Sequence, residues 1–247
     1  MSTPPGMAPP ALEPLDESFQ SVMCVVAHPD DIEYGLSAAV DRWVKAGKTV
    51  TYLLASRGES GIDTMHPDEA GPVREAEEVA AARVVGVDVV DFLDFTDGVI
   101  EYGVPLRREL CKVMRMRRPE IVVSQSHDVR FMNRLSQSDH RAVGLATLDA
   151  VRDCGNRWIF TDLETEGIEP WTGITTVLVG ASTAASHYVD VGEHLEPAIA
   201  SLEEHHAYND VLPDDFAKPR ELVTMILGMP ARATGLPYSV AFERLEA

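Results

Sequence analysis

His28, Asp30 and Asp31 stand together directly after an apolar run, Val22 to Val26, in the stretch VMCVVAHPDDIEYG. The run is short and rich in β-branched residues, which suits a buried parallel strand better than a helix. The three ionisable groups then sit at a strand end, and in open α/β sheets ligands bind beyond the carboxyl ends of the strands. Pro29 disfavours an early helix and keeps the loop open. On a turn-like backbone His28 and Asp31, at i and i+3, point to the same side and offer an imidazole nitrogen and a carboxylate oxygen, both suited to zinc. Asp30 points elsewhere and is free to handle protons. The plainer reading is a polar loop with an aspartate capping the next helix, but three ionisable groups at the end of a buried strand favour a functional site.

A catalytic zinc needs a third protein ligand, and neighbouring strand-end loops are the place to seek it. In SQSHDVRFMNRLSQSDHRAVGLATLDAV, His127 and His140 both qualify. His140 opens a helix in which Val143, Ala146 and Ala150 share a face, so its backbone is firmly held. His66 and His187 are weaker candidates.

The elements that must carry these residues alternate. Leu36 to Lys45 reads as helix with Gly47 as its stop, and Thr49 to Ala55 as a second strand. Ser56 to Gly61, SRGESG, is a glycine-bearing loop at the end of that strand and a candidate wall of the same cleft. Val73, Ala76, Ala80 and Val84 recur at 3, 4 and 4, predicting an amphipathic helix with that stripe buried, closed by Gly86. Arg74 opposes the dipole of that helix, so it needs an oxygen or a carboxylate to pair with. Val87 to Phe92 is a third strand, Asp97-Gly98 a tight turn, Leu106 to Arg117 a helix ended before Pro119, Ile121 to Ser124 a fourth strand and Ile174 to Val179 another. Leu195, Ile199, Leu202 and His206 fall at 4, 3 and 4 on one late helix.

A chain of 247 residues that is 45% hydrophobic can bury a sizeable core as one domain. Residues 1–20, rich in proline, read as a flexible arm without the apolar core of a signal peptide, and 21–247 as the domain. The net charge of −19 argues against a nucleic-acid backbone or an anionic membrane surface as partner. No apolar run reaches the roughly 18 residues that span a bilayer, and Cys24, Cys111 and Cys154 suit reduced thiols, so a cytoplasmic location is expected. Whether the chain is a homo-oligomer is open.

AHPDDIEYG closely resembles the signature of the PIG-L/LmbE-like family of metal-dependent N-deacetylases and amidases, which act largely on N-acetylglucosamine-containing molecules. The resemblance runs from about Val22 to Leu245 in the family's motif order. SRGES resembles the family's TRGE-like loop, which implies a substrate role for Arg57. VREAEEVAAARVVGV resembles the second helix, whose early arginine, here Arg74, lies near substrate. Asp97-Gly98 matches an Asp-Gly near the sugar pocket, and SLEEHHAY resembles a late ALxxHxSQ motif, placing His205 at its histidine. DHRAVG matches the end of an HPDH-like motif, which selects His140 as the ligand and Asp139 as its supporting or helix-capping neighbour. Gln137 and Ser138 replace the first two residues of that motif, and glutamine cannot transfer protons at neutral pH. Gln137 is therefore expected only to orient substrate. The tail GLPYSVAFERL resembles a family ending that often has glutamate where Val240 stands.

The resemblance implies a three-layer α/β fold with a mainly parallel, Rossmann-like sheet. No GxGxxG follows the first strand, so no dinucleotide is expected. It further implies zinc, or another divalent ion, on His28, Asp31 and His140, with Asp30 as the general base that removes a water proton during amide hydrolysis. The expected substrate is a small N-acylated amino sugar. Two rivals stand beside this: a sugar-binding member without catalysis, suggested by Gln137, and a thiol-conjugate amidase using the same metal chemistry on a larger substrate.

Overall fold

The structure, a computed structural model, describes residues 11–131 and 134–247. The chain runs through β1 (Glu13–Pro14), β2 (Ser21–Val26), α1 (Ser37–Lys45), β3 (Thr49–Leu54), α2 (Pro67–Val84), β4 (Val89–Phe92), α3 (Val104–Arg117) and β5 (Ile121–Gln125). A short hairpin of β6 (Arg130–Phe131) and β7 (Arg134–Leu135) leads into α4 (Ser138–Cys154), α5 (Thr161–Thr165), β8 (Thr176–Gly180) and β9 (His187–Asp190). The last part holds α6 (Leu195–Glu203), α7 (His206–Val211), α8 (Pro219–Gly228), α9 (Ala231–Thr234) and β10 (Ser239–Glu246).

The main sheet has the order β1-β9-β10-β8-β5-β2-β3-β4. From β8 to β4 all neighbours are parallel, whereas β10 runs antiparallel to both β8 and β9. After β2 the chain builds outward through β3 and β4, then returns to lay β5 on the other flank of β2. The ends of β2 and β5 therefore bound the crevice where strand order reverses, the usual ligand position in such sheets.

Alternation along β2 explains the layers. Val22, Cys24 and Val26 face a core shared with Trp43 of α1, Ile199 of α6 and Leu227 of α8. Met23 and Val25 face the opposite core, with Leu110 of α3 and Ala146 of α4. A strand apolar on both faces must be covered on both, giving the three-layer arrangement. All three cysteines are buried and free. Among the described residues no helix is long and apolar enough to cross a membrane.

Three expectations are corrected. Of the flexible arm expected over residues 1–20, residues 1–10 lie outside the described residues. The remainder is attached: the Glu13 and Leu15 amides donate to Ser186 O (2.9 Å) and Tyr188 O (2.8 Å), and buried Phe19 meets Trp43 edge-to-face. An open sheet edge and one aromatic anchor outweigh the proline-rich composition. The helix drawn on Val73 to Val84 begins earlier, at Pro67, where the His66 side chain caps the Asp68 amide. Its buried face is also different, with Ala76 and Val84 exposed and Ala70, Arg74, Glu78 and Ala81 buried at spacings of 4, 4 and 3. The late helix stops at Glu203 and a new one starts at His206, so the stripe ends at Leu202. His205, at the break, is turned inward and fully buried, while the expected stripe residue His206 is exposed.

A candidate metal centre at the sheet switch point

The β2 strand end is tied down by its own loop. Asp31 folds back so that Oδ2 accepts the amides of Ala27 (3.1 Å) and His28 (2.9 Å), a local side-chain-to-backbone arrangement open to aspartate. Gln125 Oε1, from the end of β5, accepts the Ala27 amide as well (3.2 Å). On the far side, α4 approaches β5 closely at Gly144, where a Cβ would fall 2.8 Å from Gln125 O. That approach brings His140, in the first turn of α4, to the loop.

His28, Asp31 and His140 consequently offer one donor atom each, all within 4.8 Å of one another. His28 Nδ1 lies 3.5 Å from Asp31 Oδ2, and His140 Nε2 lies 3.0 Å from Asp31 Oδ1. His140 Nε2 is sealed from solvent without a satisfactory hydrogen bond, even at that distance. A cation shared by both atoms would account for that. Two imidazoles and a carboxylate suit zinc or a similar divalent ion and leave open positions in its coordination. His127 joins no such group among the described residues, and its backbone packs against Gly144.

The other face of the His28 ring is buttressed. Nε2 lies 3.0 Å from Asp97 Oδ1 and 3.3 Å from Asp139 Oδ2. Asp139 also accepts the amides of Gly98 (2.7 Å) and Ile100 (3.2 Å), and Asp97 accepts that of Ser60 (2.8 Å). These bonds orient His28 with Nδ1 toward Asp31, the carboxylate–histidine arrangement that tunes metal ligands. Burial works to lower the basicity of His28, but Asp139, Asp31 and Asp97 outweigh it and push the imidazole up to about 12. Burial opposes charge on Asp97 and Asp139 too, and the contact with His28 holds both below the usual carboxylate range. Asp97, expected in contact with substrate, is thus spent on His28 and the Ser60 loop.

Asp30 occupies a left-handed backbone conformation (φ +90°) that costs a non-glycine residue energy. Its amide donates to Glu78 Oε2 (3.1 Å) and its Oδ2 lies 3.1 Å from Arg74 Nη2. Arg74 also donates to Pro29 O (2.6 Å) and Gly58 O (2.9 Å), beneath the Tyr208 ring at 4.3 Å. A Cβ on Gly58 or Gly61 would run into the guanidinium, so both glycines of the loop make room for it. Arg74, expected near substrate, is buried, and both of its Nη atoms hold the loop and Asp30, while Nε has no partner among the described residues. Burial raises the Asp30 carboxyl, Arg74 lowers it, and the balance is about 6.

Behind Asp30 lies a closed group, Glu33, Glu78 and His205, each fully buried. His205 Nε2 is 3.5 Å from Glu33 Oε2 and 3.7 Å from Glu78 Oε2. Although burial opposes it, the two carboxylates push His205 up to about 9. His205 therefore contacts carboxylates and lies away from the open cleft. Glu33 and Glu78 were missed by sequence reasoning; the only signal was Glu78 lying one helical turn beyond Arg74. Arg57 bridges Glu75 (2.5 Å) and Asp94 (2.7 Å), remains one-third exposed, and lines a pocket with Glu59, Pro67 and Phe95 that includes none of the candidate metal ligands. Gln137 is exposed at the N-cap of α4, three residues before His140, and makes no capping bond.

Compared with known proteins, the chain matches the family described as PIG-L: GlcNAc-PI de-N-acetylase over residues 23–151. It is 28% identical to a diacetylchitobiose deacetylase of Thermococcus kodakarensis over 199 residues, 78% of this chain and 71% of that protein. Among solved structures it is similar to the N,N'-diacetylchitobiose deacetylase of Pyrococcus horikoshii complexed with its inhibitor MPG, with a TM-score of 0.84 at 21% identity, covering 93% of this chain and 85% of that one. It is also similar to the 4-carboxy-2-hydroxymuconate hydratase of Pseudomonas putida, with a TM-score of 0.69 at 16% identity, covering 92% and 96%. At such identities the structural likeness speaks for the fold alone, and a hydratase on the same fold separates fold from reaction.

Proposed function

The chain belongs to the PIG-L family, and from that premise we propose that it is a metal-dependent N-deacetylase acting on a small molecule that contains N-acetylglucosamine. The observation that carries this reading is the convergence of His28, Asp31 and His140 at the switch point, with Asp30 between two of them in sequence but outside the set. The deacetylase relatives support the amino sugar as substrate.

His28 Nδ1, Asp31 and His140 Nε2 would hold the divalent ion, while Asp97 and Asp139 fix the ring of His28. When bound, the ion supplies a Lewis acid that polarises the amide carbonyl and acidifies water. Asp30 accepts the proton of the water that attacks the acetyl carbon, then returns it to the departing nitrogen. Arg74 favours the ionised carboxylate that this role requires. The C–N bond breaks, releasing acetate and a free amine. Gln137 has no titratable proton to contribute, so at the rim it only orients substrate or water. The likeness of SRGES to the family's TRGE-like loop supports Arg57 as a contact to the sugar.

Asp30→Asn tests the assignment. It should retain one equivalent of metal while turnover of N,N'-diacetylchitobiose falls on the order of 10²-fold or more, as for removal of a general base. Near-parental turnover would overturn the role of Asp30.

A further inference from the structure

Pro29 O and the Asp30 amide belong to one peptide group, and α2 grips it from both ends. Arg74 donates to Pro29 O (2.6 Å), and Glu78, four residues later on the same buried face, accepts the Asp30 N–H (3.1 Å). Residues at i and i+4 lie one above the other on a helix, so a single element presents a donor and an acceptor at the spacing of one peptide. The plane of that peptide helps to set φ of Asp30, which stands at +90°. Were the peptide to flip, Asp30 could relax to the common negative-φ region. A flip would break both bonds, taking Pro29 O from its Arg74 donor and the Asp30 N–H from its Glu78 acceptor and turning that N–H toward the guanidinium, donor against donor.

Glu78 is itself held. Its Oε2 lies 3.7 Å from His205, whose Nε2 is also 3.5 Å from Glu33, and Ser201 Oγ donates to Glu33 Oε1 (3.2 Å). All three ionisable side chains are fully buried, and one Glu78 oxygen is already spent on the Asp30 amide. A second metal ion in this group would need an entry path through closed packing.

We propose that Glu78 is a positioning residue: by accepting the Asp30 amide opposite Arg74, it locks the Pro29–Asp30 peptide in the strained orientation that aims the Asp30 carboxylate. The inference rests on the reading of Asp30 as general base. The strain is held at the proton-transferring residue, where a misplacement of about 1 Å can cost on the order of 10²-fold in rate.

The test uses the full-length, metal-loaded protein with N,N'-diacetylchitobiose, comparing Glu78→Met, Glu78→Gln, Asp30→Asn and the Asp30→Asn/Glu78→Met double variant. Met fills the space without an acceptor, and Glu78→Ala replaces it should Met fail to fold. Expected are a fall in kcat on the order of 10²-fold in Glu78→Met with KM changed less than about threefold, and retention of one equivalent of metal. Glu78→Gln, which keeps an acceptor oxygen, should recover most of that loss. In the Asp30→Asn background Glu78→Met should cost less than about twofold, because a residue acting through Asp30 has nothing further to remove. Crystal structures of the variants read the lock without reference to activity: Asp30 moves to negative φ in Glu78→Met and stays left-handed in Glu78→Gln. An unmoved Asp30 in Glu78→Met, a parental kcat in that variant, or a further large loss in the double variant would overturn the proposal. So would a second equivalent of metal that disappears with Glu78. An inactive parent, or Asp30→Asn as active as the parent, would instead overturn the general-base reading, and the backbone of Asp30 in Glu78→Met would still decide the lock.

Discussion

Arg74→Ala removes the guanidinium paired with Asp30 and with it the contacts to Asp30, Pro29 O and Gly58 O. The guanidinium is 3% exposed and serves Pro29 O, Gly58 O and Asp30 Oδ2. Truncation removes the donor of the buried Pro29 carbonyl, leaves Gly58 O with the Gly61 amide, and leaves a buried carboxylate without its partner. Breaking a buried pair from one side costs about 3–5 kcal/mol, against about 0–1 kcal/mol for an exposed pair. For a chain of this size each kcal/mol lowers Tm by about 2–4 °C, so a drop of roughly 6–20 °C is expected by differential scanning calorimetry. The activity effect has a definite sign. Asp30 must be ionised to accept a proton, burial raises its carboxyl and Arg74 lowers it. Without Arg74 the carboxyl titrates at higher pH, and the acid limb of the kcat/KM profile moves upward, with activity partly regained as pH rises. A bound cation lowers the absolute position in parent and variant alike and leaves the direction unchanged. Arg74→Lys should recover little, since an ammonium cannot span three oxygens as the planar fork does. A Tm within about 3 °C of the parent together with an unmoved acid limb would refute the clamp.

Two further outcomes follow from His28. Asp139→Asn should weaken metal affinity by about 10- to 100-fold, the usual effect of removing a carboxylate behind a ligand histidine; competition titration against a chromogenic chelator measures it, and parental affinity would count against the buttress. In the metal-free protein both nitrogens of His28 face carboxylates and the ring is held protonated, being pushed up to about 12. Metal binding at neutral pH must therefore expel about one proton, so affinity rises with pH. Calorimetry in buffers of different ionisation enthalpy reads that proton directly, and a buffer-independent heat would show that His28 is neutral beforehand.

The strand end was legible because two signals coincide there: a run apolar on both faces, and ligand-type side chains packed into the five residues after it. His140 was legible as one of two candidates, and only the resemblance to the family separated it from His127. The α2 face was misread for a physical reason. Periodicity assigns apolar residues inward and charges outward, yet Arg74 and Glu78 are buried, because they satisfy the Pro29–Asp30 peptide, and Ala76 and Val84 are left outside. The same rule extended α6 to His206, whereas the break at Glu204 sends His205 to two buried carboxylates a long way off in sequence. Partners of that kind leave no local mark. The motif resemblance implies substrate contact for Arg57, Arg74 and Asp97, and each has a partner within the protein that no local pattern marks: Pro29 O for Arg74, His28 for Asp97, and Glu75 and Asp94 for Arg57.

Stripping the protein of metal and assaying amine release from N,N'-diacetylchitobiose as zinc is returned tests the central claim most directly. The account expects no hydrolysis without metal and recovery complete at one equivalent per chain. It expects neither binding nor recovery at that stoichiometry in His28→Ala or His140→Ala. Undiminished hydrolysis by the stripped protein, or full occupancy and activity in both histidine variants, would contradict it.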